Sequence, residues 1–322
     1  MGNESPVNFT RCSNQMKYKN NKQEKYKKVS CPFCSSANVI KRGKRQTQNR
    51  GLIQRYGCLD CNKRFVVDDG FFKMKNAPQK VTLCLDLFYR GVFTRKVQEH
   101  LQAFYSHNSP HKSIYKWIIK YSKMINSFTD NLKLKVGSEI QVDEMEYKVK
   151  KQRSWFIDAI DTETRFMVSS EFTKTREQKE LKRVIRKTKT KTDNQIKICT
   201  TDGYTAYPDA VKKVFGFSNK THSCNVFHNK VTQLKGEGFN HKVERMHSNI
   251  RARTKTFRSF HGTTETANAI MKGLEIYYNF IRKHEAIKCC PYELACPELK
   301  EQLGLNKWLG LIQLSKQNNI KC

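Results

Sequence analysis

The sequence predicts an α/β protein: a mixed-sheet core preceded by a small cysteine-bearing module and a three-helix module. Three observations carry this expectation. Two CxxC pairs, Cys31-Pro-Phe-Cys34 and Cys58-Leu-Asp-Cys61, lie 23 residues apart. From about 77 to 128, apolar residues recur with the 3.6-residue period of amphipathic helices. From about 137, short apolar runs alternate with charged helical stretches, as in helices packed on a partly parallel sheet.

The 322-residue chain has 61 lysines and arginines against 29 acidic residues, a formal charge of +32. Such an excess implies a polyanionic partner, whose condensed counterions are released on binding. No run approaches the ~18 consecutive apolar residues of a membrane span. The first residues, MGNESPVNFTRCSNQMKYKNN, lack an apolar signal region. The chain therefore reads as cytoplasmic, its 12 cysteines mostly reduced or metal-bound. Residues 1–28 are polar and lysine-rich and read as a flexible basic tail.

The module at 29–68 follows from its cysteines. Cys31, Cys34, Cys58 and Cys61 supply four thiolates for one tetrahedral zinc, and a module this small needs the metal to fold. Two matched pairs favour zinc over a redox CxxC. Lys41, Arg42, Lys44, Arg45, Arg50 and Arg55 lie between the knuckles, which suits a nucleic-acid-binding zinc ribbon. His222, Cys224 and His228 lack a fourth ligand at sensible spacing, and Cys289, Cys290 and Cys296 read as incidental.

Three helices are expected over 77–130. Val81, Leu85 and Phe88 make one stripe, Val97, Leu101 and Phe104 a second, and Ile114, Trp117, Ile118 and Tyr121 a third. Gly91 ends the first helix, and Ser109-Pro110 caps and opens the third. The pattern suits a helix-turn-helix whose third helix presents His111, Lys112, Lys116 and Lys120 to DNA. An ordinary helical linker with solvated lysines is the competing reading.

In the core, EIQVDEMEYKV, SWFIDAI and RFMVSSEF read as strands, with DTET as a hairpin turn. EQKELKRVIRKTK reads as a helix, QIKICTT as a strand and TAYPDAVKKVF as a helix. SCNVF reads as a short strand, and 241–257 and ETANAIMKGLEIYYNFIRK as helices. Asp143 lies in the first strand and Asp202 directly follows the fourth. If those strands are neighbours, both carboxylates emerge at one edge. Glu244 sits on a basic helix able to cross that edge, with His247 three residues on. Carboxylates so placed suit two hard divalent cations that clamp a phosphodiester during in-line displacement. Lys242, Arg245, Arg251 and Arg253 on that helix suit phosphates. Other acids compete. Glu144 is expected to point away from Asp143, and Asp158, Asp161 and Glu163 to be solvated at a strand end and turn. His247 also reads as a surface histidine.

These segments together resemble the DDE-type transposases of prokaryotic insertion sequences. SIYKWIIKY resembles their recognition-helix signature. QVDEMEYKVKKQRSWFIDAIDTETRFMV resembles the first-aspartate block, TTDGYTAYPDAV the second, and VERMHSNIRARTKTFRSFHG the glutamate block. NFIRKHEAI and NKWLGLI resemble C-terminal segments of the family. The 41 residues between Asp202 and Glu244 exceed the usual spacing, which suits a loop around Gly236–Gly238.

The resemblance implies an RNase H-like core over 137–288 and a C-terminal tail over 289–322. It implies that Asp143, Asp202 and Glu244 bind two Mg2+ or Mn2+ ions, with His247 close to the site. It implies DNA strand cleavage and transfer on an element's terminal repeats and target DNA. Lys112, Lys116, Lys120, Arg245, Arg251 and Arg253 would hold that double-stranded DNA. A homo-oligomer associated with the nucleoid, with no membrane partner, follows. Two readings stay open beside it: a decayed or domesticated relative that binds DNA without cutting it, and a zinc-ribbon transcription regulator.

Overall fold

The computed structural model describes residues 29–48, 50–72, 74–105, 109–218, 223–231, 240–255 and 260–318. The basic tail at 1–28, His222 and the loop around Gly236–Gly238 lie outside them. The chain divides into two compact units. One takes in residues up to Gly43 together with Gln54–Val67; the other takes in Lys44–Ile53 and everything from Asp68.

The first unit holds most of a three-stranded sheet, β1 (Val39–Thr47), β2 (Gly51–Cys58) and β3 (Arg64–Phe65), in the order β1-β2-β3. Among the described residues its core is Cys31, Cys58 and Phe65, with Val29, Val39, Tyr56 and Cys61 packed beside them. So little apolar burial cannot offset the entropy of ordering the chain, and a metal staple fits.

In the second unit three helices follow: α1 (Pro78–Tyr89), α2 (Thr94–Phe104) and α3 (His111–Thr129). Pro78 opens α1, where a missing N–H costs nothing. Arg90 caps its end, and Gly91 then turns the chain at φ +103°. Ile114, Trp117, Ile118 and Tyr121 are buried as their spacing predicts. Lys112, Lys116 and Lys120 fall four residues apart on the exposed side. Two local expectations fail. Phe104 is 71% exposed, because α2 stops there and its ring lies against His100. The residue at the N-cap of α3 is Pro110, with no side-chain cap, and the Ser109 hydroxyl donates to Asn76 Oδ1 instead.

The core begins with β4 (Glu139–Val149), β5 (Gln152–Asp161) and β6 (Met167–Thr173), an antiparallel meander. Then come α4 (Gln178–Lys191), β7 (Ile198–Thr201) and α5 (Tyr207–Phe215). The predicted SCNVF strand is two pieces: β9 (Ser223–Cys224), which pairs with β8 (Phe217–Ser218), and β10 (Phe227–Lys230). The five-stranded sheet runs β10-β7-β4-β5-β6, with β7 parallel to both neighbours. This is the mixed-sheet α/β core that the sequence predicts.

Ile140, Val142, Ile157 and Ala159 face α4 and α5 on one side of the sheet. The other side meets α6 (His241–Thr254) and α7 (Thr264–Ile276), which continues as a π-helical turn, Tyr277–Ile281. The chain ends in α8 (Tyr292–Ala295), a 3-10 turn (Pro297–Leu299), α9 (Lys300–Leu303) and α10 (Lys307–Asn318). Trp308, Leu311 and Ile312 of α10 are buried in the same cluster as α1 and α3. Among the described residues no helix is long and apolar enough to cross a membrane.

Candidate active site

Register places the first two acids. β4 and β7 are parallel neighbours with Val142 opposite Thr201, so Asp143 and Asp202 leave the sheet side by side at the ends of that pairing. The tight turn that follows fixes Asp202, whose Oδ1 accepts from the Tyr204 N–H at 3.0 Å. Asp143 Oδ1 accepts from the Glu144 N–H at 2.8 Å.

The helix α6 lies along β4, anchored in step. The Lys242 and Val243 N–H groups donate to Gln141 Oε1 at 3.1 and 3.2 Å. His247 Nδ1 faces Asp143 Oδ2 at 3.4 Å. Farther on, the Tyr147 and Thr254 hydroxyls meet at 3.1 Å. Twelve helical residues rise ~18 Å and six strand residues ~20 Å, so the two elements stay in register. Glu244 is on the exposed side of the first turn of α6, between the Gln141 anchor and His247. The structure does not bring it into the acidic cluster.

Glu144 does enter that cluster. Strand alternation sends it to the opposite face from Asp143, as expected, yet it does not point away from the site. A carboxylate oxygen from each of Asp143, Glu144 and Asp202 lies within 4.8 Å of the others. Both oxygens of Glu144 are engaged: Arg176 Nη1 donates to one at 2.5 Å and the Tyr207 hydroxyl to the other at 2.6 Å. The Arg176 guanidinium lies 4.2 Å from the Trp155 ring and 4.4 Å from the Tyr204 ring, a clamp that fixes its position.

Asp158 and Asp161 are corrections too. Asp158 is mid-strand, directly opposite Asp143, and 0% exposed. His247 Nε2 donates to its two oxygens at 2.9 and 3.1 Å. Like charges opposite one another on a strand pair repel, and His247, 2% exposed, spans them. The surface reading of His247 therefore fails. Asp161 is also fully buried, where it accepts from the Thr164 N–H and hydroxyl and the Gly137 N–H. Glu163 is exposed, as expected.

Burial pushes the Asp143 carboxyl up to about 7, although His247 and the Glu144 N–H pull it down. For His247 burial opposes the charge, but the Asp158 and Asp143 carboxylates outweigh it and raise its pKa. Crowded, half-desolvated carboxylates of this kind are relieved by a hard cation. The donor set is all oxygen, which fits Mg2+ or Mn2+.

On α6, Arg245 and Arg251 are exposed, whereas Arg253 is half-buried with its guanidinium 5.2 Å from the Tyr277 ring. The four knuckle cysteines converge. Cys31 and Cys61 sulfurs lie 3.6 Å apart, and Cys34 and Cys58 sulfurs 3.5 Å. Four sulfurs ~2.3 Å from one tetrahedral zinc stand ~3.8 Å apart, so the geometry fits a zinc ribbon. Among the described residues neither Cys289, Cys290 and Cys296 nor Cys224 and His228 form such a group. Lys307 donates to Cys290 Sγ, and His228 Nε2 meets the Thr201 hydroxyl.

Gln141, Tyr147, Asp158, Arg176 and Tyr207 were not singled out by sequence as functional. Gln141 and Tyr147 share the face of Asp143 at a spacing of two, which strand alternation makes visible. Arg176 and Tyr207 come from separate elements and leave no local signal.

Residues 137–285 match the family model of a transposase DDE domain of the IS240 type. No curated protein matches the chain in sequence. Among solved structures, the HTLV-2 integrase catalytic core domain in complex with magnesium, in its trimeric form, is similar at 16% identity and a TM-score of 0.37. That match covers 49% of this chain and 97% of the other. The simian T-cell lymphotropic virus intasome in complex with a PP2A regulatory subunit is similar at 11% identity and a TM-score of 0.38, covering 67% and 73%. Residues 137–285 are thus similar to a transposase DDE domain, and they contain the acidic cluster of Asp143, Glu144 and Asp202.

Proposed function

We propose that the protein binds the terminal repeats of a mobile element and catalyses DNA strand cleavage and strand transfer there. The observation that carries this is the parallel register of β4 and β7, which sets Asp143 beside Asp202 while α6 runs along β4 carrying Glu244.

Asp143 and Asp202 would hold Mg2+ or Mn2+ through their outward oxygens, and Glu244 would complete the set from α6. Bound there, such cations would supply electrostatic stabilisation of the charge that develops in phosphoryl transfer. His247 fixes Asp143 through its Nδ1 side and is itself held by Asp158. Gln141 holds the start of α6 against β4. Arg176 and Tyr207 occupy Glu144 and so define where the acidic cluster ends. The zinc ribbon and the exposed Lys112, Lys116 and Lys120 stripe would read the element ends, with α1–α3 acting as a helix-turn-helix. Exposed Arg245 and Arg251 would sit on the strand being cut. Two or more copies would assemble, because two DNA ends must be joined.

The test is nicking of a duplex carrying inverted repeats that flank the gene, with Mg2+ and with EDTA. Metal-dependent nicks at the repeat boundary are expected. Binding without any cleavage in Mg2+ or Mn2+ would overturn the enzymatic reading.

A further inference from the structure

Arg176 stands in the turn from β6 to α4, where the Thr173 hydroxyl donates to the Thr175 carbonyl at 2.5 Å. Trp155 and Tyr204, the two rings beside its guanidinium, pack against the apolar cluster that α4 and α5 form on one face of the sheet. The helix α6 covers the other face. Arg176 Nη1 meets Glu144, whose carboxylate lies in one cluster with Asp143 and Asp202. The acids therefore have arginines on both sides: exposed Arg245 and Arg251 on α6, and Arg176 across the sheet from them.

Arg176 offers more than its partner takes. The Glu144 side chain is 2% exposed, against 11% or more for the carboxylates that meet Arg50, Arg90, Arg153 and Arg183. An acid so buried needs its charge offset, and Nη1 with the Tyr207 hydroxyl does this. Arg176 itself is not buried. Its side chain is 36% exposed, and among the described residues Nε and Nη2 have no hydrogen-bond partner. Neither nitrogen is among the buried polar atoms left unpaired, so both reach solvent. Two rings and one ion pair already hold the guanidinium, so it loses little further freedom on binding a second ligand. Its free nitrogens suit the oxygens of a phosphate.

We infer that Arg176 binds a backbone phosphate of the DNA strand where that strand passes from the acidic cluster onto the α4–α5 side of the sheet. This rests on the proposed function for the identity of the polyanion. The contact is to backbone, so it is independent of base sequence.

The experiment measures binding of a mixed-sequence DNA duplex against monovalent salt for four proteins: the wild-type chain, Arg176→Gln, Glu144→Gln and the double variant. Arg176→Gln should weaken binding and flatten the slope of log affinity against log salt by ~0.9, the value of one lost phosphate contact. The decisive comparison is in the Glu144→Gln background, where no buried carboxylate needs the arginine. Adding Arg176→Gln there should again flatten the slope by ~0.9. Equal slopes for Glu144→Gln and the double variant would mean that Arg176 serves Glu144 alone, and would overturn the inference even if Arg176→Gln by itself weakened binding or failed to fold. Nicking of the repeat-bearing duplex by the wild-type chain is read in parallel. Its absence removes the enzymatic reading without touching the comparison of slopes, so the two failures stay separate.

Discussion

His247 donates through Nε2 to both oxygens of Asp158, at a point where neither side chain reaches solvent. The other ring nitrogen faces Asp143. A histidine flanked by two carboxylates is fixed in orientation as well as charge, so Asp158 positions a residue of the site without touching the substrate. Asp158→Asn keeps the shape and loses the charge. It should slow cleavage ~10–100-fold and raise the magnesium needed for half-maximal rate. His247→Ala should slow cleavage without abolishing it. Wild-type rates in both variants at limiting magnesium would reduce the pair to a packing feature.

Asp143→Asn, Asp202→Asn and Glu244→Gln should each abolish strand cleavage and leave duplex binding near normal, because a neutral amide is a weak ligand for a hard cation. Nicking and binding measured on one repeat-bearing duplex check this. Glu244→Gln is the sharpest of the three, since Glu244 stands apart from the cluster that Asp143, Glu144 and Asp202 form. If Glu144→Gln and not Glu244→Gln abolished cleavage, the third ligand would be on β4.

Cys31→Ser or Cys61→Ser should cost one zinc per chain and unfold the ribbon while the DDE domain stays folded. The three buried residues of its core among the described residues supply little stability without the metal. Elemental analysis after metal-replete purification, with limited proteolysis to locate the unfolding, decides it. A zinc-free protein with an intact ribbon would refute the site.

Changing Lys112, Lys116 and Lys120 together to alanine should flatten the salt dependence of binding to the element end by ~0.9 per lost phosphate contact. All three are exposed on α3. An unchanged slope would make α3 a structural helix and leave DNA reading to the ribbon.

Asp130, at the end of α3, receives Lys187 Nζ at 2.9 Å and Lys191 Nζ at 3.8 Å from α4. Burial alone would raise its pKa, but Lys272, Lys191 and Lys187 outweigh burial and lower it. A carboxylate with a lowered folded pKa contributes stability that is present at neutral pH. That contribution is lost as the pH falls from the ordinary aspartate value through the lowered one. Asp130→Ala removes the Lys187 pair and one of the two carboxylates, with Glu275, that offset the buried Lys191 charge, and should cost ~1–3 kcal/mol. Urea unfolding at neutral and acid pH checks both the size and the sign, since the gap between wild type and variant should narrow in acid.

The sequence by itself determined a great deal. The CxxC pairs fixed which four sulfurs converge, because knuckle ligands are local in sequence. Periodicity placed α1–α3, β4–β7 and α4–α7, and with them Asp143 in the first core strand and Asp202 directly after the fourth, because both are local in sequence. What only the tertiary structure decided is pairing across elements. Lys150 and Lys151 make the β4–β5 turn at φ +49° and +71°, a conformation that usually calls for Asn-Gly, so no turn signal revealed the register. That register alone sets Asp158 opposite Asp143 and turns a residue expected in solvent into the buried partner of His247. Glu144 is a similar case. Its strand position is legible, but the donors that hold it, Arg176 and Tyr207, arrive from 32 and 63 residues away. Local pattern reports which face a side chain leaves from; only packing reports what meets it there.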